Sequence, residues 1–220
     1  MAAGDTAVGS IPMTFPKEPI KKALPCKEGT AKTFYRVHEK VKSHAMTQAQ
    51  WINFFIELEK INFRDTLVAK IALQGGKRIN EVLNLSAEQI DWAKNEITFF
   101  QSKTKGLQKK VIITYPQSIM DRLNAYIGER QGLVFITRTC KIVHLKQLAL
   151  NFAKAGKLAK IPFKVTPHVL RASAVTFLKQ AGFNDSDIMR VTGHASAEMV
   201  YAYDKTSLSD NASKKISLVT

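Results

Sequence analysis

The sequence predicts a mainly α fold with a small antiparallel β-sheet or hairpin, an α+β arrangement. Apolar residues recur at helical spacing through most of the chain after residue 45, and one segment holds two β-rich runs around a short turn. In addition, 45% of the 220 residues are hydrophobic, which is enough for a buried core. We expect an N-terminal tail or linker over 1–45, one compact domain over 46–206 and a C-terminal tail over 207–220.

The first predicted helices are bounded by capping residues. Thr47 and Gln50 have the spacing of a capping box ahead of a helix over about 48–60. A second helix covers the run DTLVAKIAL and ends at Gly75 and Gly76, because glycine commonly ends a helix. A short third helix begins in the run RINEVLNL.

A β-hairpin follows these helices. It is predicted over EITFFQSKTKGLQKKVIITYP, in which two strand-like runs flank a basic tip and Pro116 ends the second strand. Helical periodicity then resumes, and Pro167 suits the first turn of a helix. Trp51 and Trp92 are interpreted as core residues. The later helices are predicted at about 117–128, 145–158, 167–181, 186–191 and 197–204.

The composition excludes several classes of protein. The sequence has no run of about 18 apolar residues, and its start lacks the basic and apolar blocks of a secretory signal. We therefore expect a soluble, cytoplasmic protein with no membrane partner. Cys26 and Cys140 lie far apart in sequence, which predicts neither a disulfide framework nor a cysteine metal site.

The positive charge is unevenly distributed. The net charge is +15 and the pI is about 9.8, which favours a polyanionic partner. Residues 130–184 contain no acidic side chain, and such a surface repels itself unless phosphates neutralise it. Nucleic acid is the predicted partner, and a solvated face that keeps the chain in solution is the alternative. The basic residues in this range are Arg130, Arg138, Lys141, Lys146, Lys154, Lys157, Lys160, Lys164, Arg171 and Lys179.

Two arginines are expected to need anionic partners. Arg171 has apolar neighbours on a predicted helix and shares one face with His168, three residues earlier. A buried guanidinium without a counter-charge costs several kcal/mol, so we expect a carboxylate or a bound phosphate beside it. No acid is near Arg171 in sequence. Arg78 has Glu81 three residues later, where the carboxylate can orient it.

Five separated motifs occur in a fixed order. They are Arg78 to Glu81, Lys103 on the hairpin, His168 to Arg171, Gly193 with His194, and Tyr203 nine residues later. This order resembles the catalytic domain of the tyrosine recombinase (phage integrase) family. More narrowly, the sequence is similar to the integrase-type proteins of the chlamydial virulence plasmid, over about residues 33–220. The segments that carry this similarity are ITYP, TPHVLRASAVT, SDIM, VTGHA, AYDK and DNASKK.

The resemblance implies the tyrosine recombinase catalytic-domain fold and a reaction that cleaves and rejoins DNA. Tyr203 would be the nucleophile and would form a 3′-phosphotyrosyl intermediate. Arg78 and Arg171 would hold the nonbridging oxygens of the scissile phosphate by charge-assisted bonds. Lys103 would protonate the departing 5′ oxygen. Neither a metal nor another cofactor is implied, and no small-molecule substrate is expected.

The remaining roles also follow from the resemblance. His168 would accept the phenolic proton, and His194 would donate to a phosphate oxygen. Glu81 would support Arg78. Tyr201 is the rival nucleophile, but it differs from Tyr203 by about 200° around a helix, so only one of the two can face the site. The interval from the second histidine favours Tyr203.

The predicted partner is double-stranded DNA, bound by a homo-tetramer that is a monomer in solution. The C-terminal segment, about 208–220, would dock on a neighbouring subunit, and a frayed tail is the alternative. Family members usually carry about a hundred residues of core-binding domain ahead of the catalytic domain, so we expect that domain to be truncated or missing here. The lysines expected to bind DNA are Lys105, Lys109, Lys141, Lys146 and Lys164.

Two other functions remain open from the sequence. The segment FLKQAGFNDSDIMRVTGHASAEMV superficially resembles a helix-turn-helix, so a noncatalytic DNA-binding remnant of a recombinase is one alternative. A type IB topoisomerase is the other, because it uses the same chemistry. We favour a site-specific recombinase or integrase over both.

Overall fold

The computed structural model describes residues 44–101 and 109–206. These residues form eight α-helices and a three-stranded sheet, which confirms the predicted mainly α fold. No helix in these two ranges is long and apolar enough to cross a bilayer. The helices are α1 (Gln48–Ile61), α2 (Phe63–Gln74), α3 (Ile79–Leu83), α4 (Gln117–Ile127), α5 (Leu145–Leu158), α6 (Pro167–Gln180), α7 (Asp185–Thr192) and α8 (Ala197–Tyr203). The strands are β1 (Ile90–Asp91), β2 (Glu96–Gln101) and β3 (Lys109–Thr114).

Polar side chains set the ends of the first two helices. The predicted capping box is confirmed: the Thr47 side chain accepts from the Gln50 backbone, and the Gln50 side chain accepts from the Thr47 backbone. Asn62 ends α1 by donating its backbone N–H to Leu58 O, and its side chain accepts from the backbone N–H of Asp65 at the start of α2. One residue therefore caps two helices and fixes the turn between them.

The sheet has the order β1-β2-β3, and both pairs of strands are antiparallel. Ile97 lies opposite Ile113 and Phe99 opposite Val111, and all four side chains are buried. The predicted hairpin strands are therefore confirmed. Strand β1 was not predicted, because two residues are too few to show an alternating pattern. The hairpin tip at 102–108 lies outside the described residues.

The last three helices and the turn between α7 and α8 carry four of the six predicted catalytic residues. α6 has Pro167 in its first turn, as predicted, and α7 is capped by Asn184, whose side chain accepts from the backbone N–H of Asp187. Gly193 ends α7 with φ of 73°, a left-handed conformation that glycine adopts without strain. A small apolar cluster packs the three helices together: Ala172, Val175, Ile188, Val200 and Tyr203.

The two tryptophans do not share one environment. Trp92 is 40% exposed, in the turn after β1, so its interpretation as a core residue is wrong. A large apolar side chain does not reveal from sequence that its backbone lies in a turn. Trp51 is partly buried and meets the Phe177 ring edge-on, with 5.3 Å between ring centroids.

Candidate active site

Four of the six predicted catalytic residues line one cleft of about 620 Å³. Its walls come from the turn between α2 and α3, the end of β2, the start of α6 and the turn between α7 and α8. The described residues of its lining include both predicted arginines, the histidine of α6 and the tyrosine of α8. They are Arg78, His168, Arg171 and Tyr203, with Lys77, Glu81, Gln101 and Gly193 beside them.

Arg171 is buried at the base of this cleft, with 2% of its surface exposed. Its Nη1 donates to the backbone oxygens of Gly76 and Thr192, the latter at 3.0 Å, and its Nε donates to His194 Nε2 at 3.1 Å. Gly76 lies just past the end of α2 and Thr192 is the last residue of α7, where backbone carbonyls lack helical partners. One guanidinium therefore caps two helix C-termini. Backbone oxygens and an imidazole thus take the place of the expected carboxylate, and a bound phosphate stays a prediction.

The charge of Arg171 is not fully compensated by these neutral acceptors. Burial and, to a smaller extent, the charge of nearby Arg78 lower the pKa of Arg171 to about 10, although Tyr203 and Glu81 act in the opposite direction. The Tyr203 ring centroid lies 5.5 Å from Arg171 Cζ. The Nη2 atom of Arg171 is buried and makes no hydrogen bond within the described part of the chain. The cleft thus holds an open donor and an excess positive charge, both suited to an anion.

Tyr203 lies against the first turn of α6. Its hydroxyl is 3.3 Å from Nδ1 of His168, and only 8% of its surface is exposed. His168 itself is exposed, so the pair stands at the boundary between the protein and the open cleft. The Tyr203 ring also lies 5.1 Å from the His194 ring, between centroids. This is the geometry of a hydroxyl beside a base and above a guanidinium.

Tyr201 faces away from the cleft, as the predicted rotation around the helix requires. It is 51% exposed, and Lys179 Nζ lies 4.9 Å from its ring centroid. A hydrogen bond to the Asp185 carboxylate raises the pKa of Tyr201. The side chain therefore links the surfaces of α6, α7 and α8, and it does not line the cleft.

His194 is fully buried behind Arg171. Its Nε2 accepts from Arg171 Nε, and its Nδ1 lies 2.7 Å from Thr192 Oγ1, which in turn donates to Ile188 O. An Nε2 that accepts must carry a lone pair, so the geometry assigns the proton of the neutral ring to Nδ1. In this arrangement His194 orients Arg171. Its donation to a phosphate oxygen stays a prediction that would require the ring to change partners.

Arg78 and Glu81 pair as their spacing predicts. Arg78 Nη1 donates to Glu81 Oε1 at 3.2 Å, and the Arg78 side chain is 47% exposed. The other carboxylate oxygen, Oε2, accepts from Gln101 Nε2 at 3.3 Å. Glu81 therefore holds Arg78 at the mouth of the cleft, opposite the buried Arg171.

Comparison with known proteins identifies the family. The model of the phage integrase family matches residues 44–209. The chain belongs to the phage integrase family. It is 53% identical over 197 residues to the virulence plasmid integrase pGP8-D of Chlamydia trachomatis serovar L2, an alignment that covers 90% of this chain and 60% of that protein. The chain thus spans about 60% of the length of the curated relatives that it matches first.

Solved structures share the integrase fold. The crystal structure of XerA recombinase has a TM-score of 0.65 at 22% identity, covering 76% of this chain and 61% of that one. XerH site-specific recombinase bound to its difH substrate has a TM-score of 0.62 at 19% identity, covering 72% and 49%. At these identities the likeness concerns the fold, which is that of tyrosine recombinase catalytic domains.

Two residues that line the cleft, Lys77 and Gln101, and the buried Thr192 beside it were not singled out from the sequence. Lys77 is 1% exposed, Gln101 is 7% exposed, and Thr192 is fully buried, yet all are polar. Gln101 Nε2 contacts both Glu81 and, at 3.5 Å, Thr192 O, across 20 and 91 residues of sequence. The one signal in the sequence was that Lys77 lies next to Arg78. Contacts between residues that lie 20 or 91 positions apart leave no local pattern from which they could be predicted.

The basic residues expected to bind DNA lie partly outside the described residues. Lys103 and Lys105 fall in 102–108, and Lys109 is described only as backbone of β3. Lys141, Lys146 and Lys164 are exposed. Within 44–101 and 109–206, no group of three or more His, Cys, Asp or Glu residues could hold a metal ion.

Proposed function

We propose that this integrase-family chain is the catalytic part of a site-specific DNA recombinase, a tyrosine-type enzyme that cleaves and rejoins DNA strands. The observation that carries the proposal is the convergence of Tyr203, His168 and Arg171 in one cleft, with the hydroxyl 3.3 Å from a ring nitrogen. A nucleophile, a base and a buried cation in contact form an arrangement suited to attack on a phosphodiester.

The proposed reaction begins with proton transfer from Tyr203 to Nδ1 of His168. The phenolic oxygen then attacks phosphorus, a bond forms between them, and the bond from phosphorus to the 5′ oxygen breaks. The 5′ oxygen takes a proton from a general acid, for which Lys103 stays the prediction. The product is a 3′-phosphotyrosyl bond. A 5′-hydroxyl of another strand reverses the step and completes strand exchange.

The two arginines stabilise the transition state in this proposal. Arg171 offers its open Nη2, fixed by the bonds that Nη1 and Nε make inside the protein. Arg78 offers the donors that Glu81 leaves unused at the cleft mouth. Preorganised donors of this kind are worth roughly 10² to 10³ in rate each. The chemistry needs no metal ion or other cofactor.

The proposed substrate is double-stranded DNA, held by the exposed basic side chains of residues 130–184. A relative in structure, XerH, is bound to its difH DNA substrate. We assign the catalytic role to residues 46–206. We also propose that the chain is a cytoplasmic protein that is a monomer in solution and a tetramer on DNA. In the tetramer, residues 207–220 would dock on a neighbouring subunit. Phosphate contacts would make binding strongly dependent on salt.

Covalent capture on DNA tests the function directly. The chain is incubated with nicked duplexes of randomised sequence, and denaturant-resistant complexes are isolated and sequenced. Wild type and Tyr201→Phe should form the adduct, and Tyr203→Phe should form none, because the Tyr203 hydroxyl lies in the cleft and Tyr201 faces away from it. An adduct that survives Tyr203→Phe would refute the assignment. DNA binding without any adduct would support a noncatalytic remnant, and sequence-independent relaxation of supercoiled DNA by a monomer would support a topoisomerase.

A further inference from the structure

Lys77 is the least expected side chain in the cleft. It is 1% exposed, and its Nζ lies 5.0 Å from the centroid of the Phe99 ring. Its aliphatic stem packs closely against Gly75. A β-carbon added at that glycine would come within 3.0 Å of Lys77 Cγ and 3.2 Å of the Tyr115 hydroxyl. The ammonium is therefore fixed in place on the wall of the cleft, although lysine usually keeps its charge in water.

The carboxylate of Glu81 is a counter-charge to the buried ammonium. Lys77 Nζ is 3.9 Å from Glu81 Oε2, the same oxygen that accepts from Gln101. Arg78 bonds to the opposite oxygen, Oε1. One carboxylate thus forms an ion pair with a buried lysine and accepts hydrogen bonds from a half-exposed arginine and from the glutamine amide.

This sharing determines how much of Arg78 is left for a ligand. Lys77 and Gln101 draw one oxygen of Glu81 inward, so Arg78 bonds to the carboxylate through Nη1 alone among the described residues. Without the ammonium, the carboxylate would be free to turn and form a two-pronged pair with the arginine, the geometry that guanidinium and carboxylate groups prefer. A two-pronged pair would occupy donors that a phosphate needs.

We propose that Lys77 is a positioning residue that acts through Glu81 to keep Arg78 available to the scissile phosphate. The inference deepens the proposed recombinase function and rests on it. The Lys77 ammonium also brings the net charge of the described charged residues in the lining to two positive units. These residues are Lys77, Arg78, Glu81 and Arg171. That balance suits the additional negative charge of a pentacoordinate transition state.

The test compares two lysine variants in the same protein. Lys77→Met keeps the length of the side chain and its contact with Phe99 but removes the charge, and Lys70→Met is the matched control. Lys70 also lies near a phenylalanine ring, 5.6 Å from the centroid of Phe55, but it is outside the cleft. For both variants, the single-turnover rate of adduct formation and the DNA affinity are measured on a DNA sequence isolated in the covalent capture experiment.

Lys77→Met should slow adduct formation about tenfold or more, since small displacements of reacting groups cost up to about 10² in rate. DNA affinity and the urea midpoint should stay near those of wild type, and Lys70→Met should match wild type in rate. A purely structural role predicts the reverse pattern, with a lower urea midpoint and a normal rate in the folded fraction. An unchanged rate in Lys77→Met would overturn the proposal.

A double variant separates action through Glu81 from direct action on DNA. If Lys77 works through the carboxylate, Lys77→Met combined with Glu81→Gln should be no slower than Glu81→Gln alone. Rate losses that simply multiply would overturn the proposal. If the wild-type chain forms no adduct, the recombinase function fails instead. A crystal structure of Lys77→Met then decides the Lys77–Glu81 link, because a Glu81 carboxylate that still meets Arg78 through Nη1 alone would refute it.

Discussion

Thr192→Val isolates the bond that orients His194. The threonine is fully buried, and its hydroxyl lies 2.7 Å from His194 Nδ1 while donating to Ile188 O. Valine has nearly the same shape, so the substitution opens no cavity and removes only the hydroxyl. It takes away the hydroxyl oxygen that accepts from the buried imidazole N–H.

The expected cost can be estimated from the loss of that one acceptor. An unsatisfied buried polar group costs about 1–3 kcal/mol. For a domain of this size, 1 kcal/mol corresponds to about 2–4 °C in Tm, so the variant should melt roughly 2–12 °C lower. His194 also loses the contact that keeps its Nε2 aimed at Arg171, so adduct formation should slow about tenfold, less than after loss of a whole donor.

Thermal unfolding followed by circular dichroism, together with the covalent capture assay, measures both effects. Thr192→Ser is the matched control, because it keeps the hydroxyl and loses only a methyl group. It should stay closer to wild type than Thr192→Val in Tm and in rate. Equal Tm values for wild type and Thr192→Val would refute the hydrogen-bond reasoning, and so would a serine variant as impaired as the valine one.

Two further predictions concern backbone geometry and pH. Gly193→Ala should lower the free energy of unfolding by about 2 kcal/mol or more, since φ is 73° and the new β-carbon would lie 2.0 Å from Gln101 Nε2. Gly182→Ala, with φ of 88° and no atom within 4 Å, should cost only about 1 kcal/mol in a urea titration, and equal losses would contradict the packing argument. Burial raises the pKa of Tyr115 well above its usual 10.0, so its contribution is present below pH 10.0 and is lost as pH rises further. Tyr115→Phe should therefore flatten the alkaline fall in stability by up to about 1.4 kcal/mol per pH unit, measured by urea unfolding between about pH 9 and about pH 11, and an unchanged slope would contradict this.

Local signals made most of the fold predictable. The capping box at Thr47, the glycines at 75 and 76 and the proline at 167 each mark a helix end through backbone chemistry that depends on near neighbours. The elements found at these positions agree with the prediction. Strand β1 and the exposed Trp92 were missed because pairing partners and turn positions depend on residues elsewhere.

The residues that form the site were easier to predict from the sequence than the hydrogen bonds between them. The apolar neighbours of Arg171 suggested that it would be buried, which is confirmed. The sequence could not show that the backbone oxygens of Gly76 and Thr192 accept hydrogen bonds from Arg171. Every residue has such an oxygen, and only the fold brings these two together. Lys77 escaped notice for a similar reason, because a lysine beside an arginine ordinarily lies in solvent.

The double capping by Arg171 has a consequence for biosynthesis. The two carbonyls come from residues 95 positions before and 21 positions after the arginine, so the socket is incomplete until Thr192 has left the ribosome. A nascent or prematurely terminated chain that ends before this residue has the arginine but lacks half of what holds it. Under the proposed function, Arg171 cannot be held in place to act on a DNA phosphate before Thr192 has been synthesised, so shorter chains should not cleave DNA.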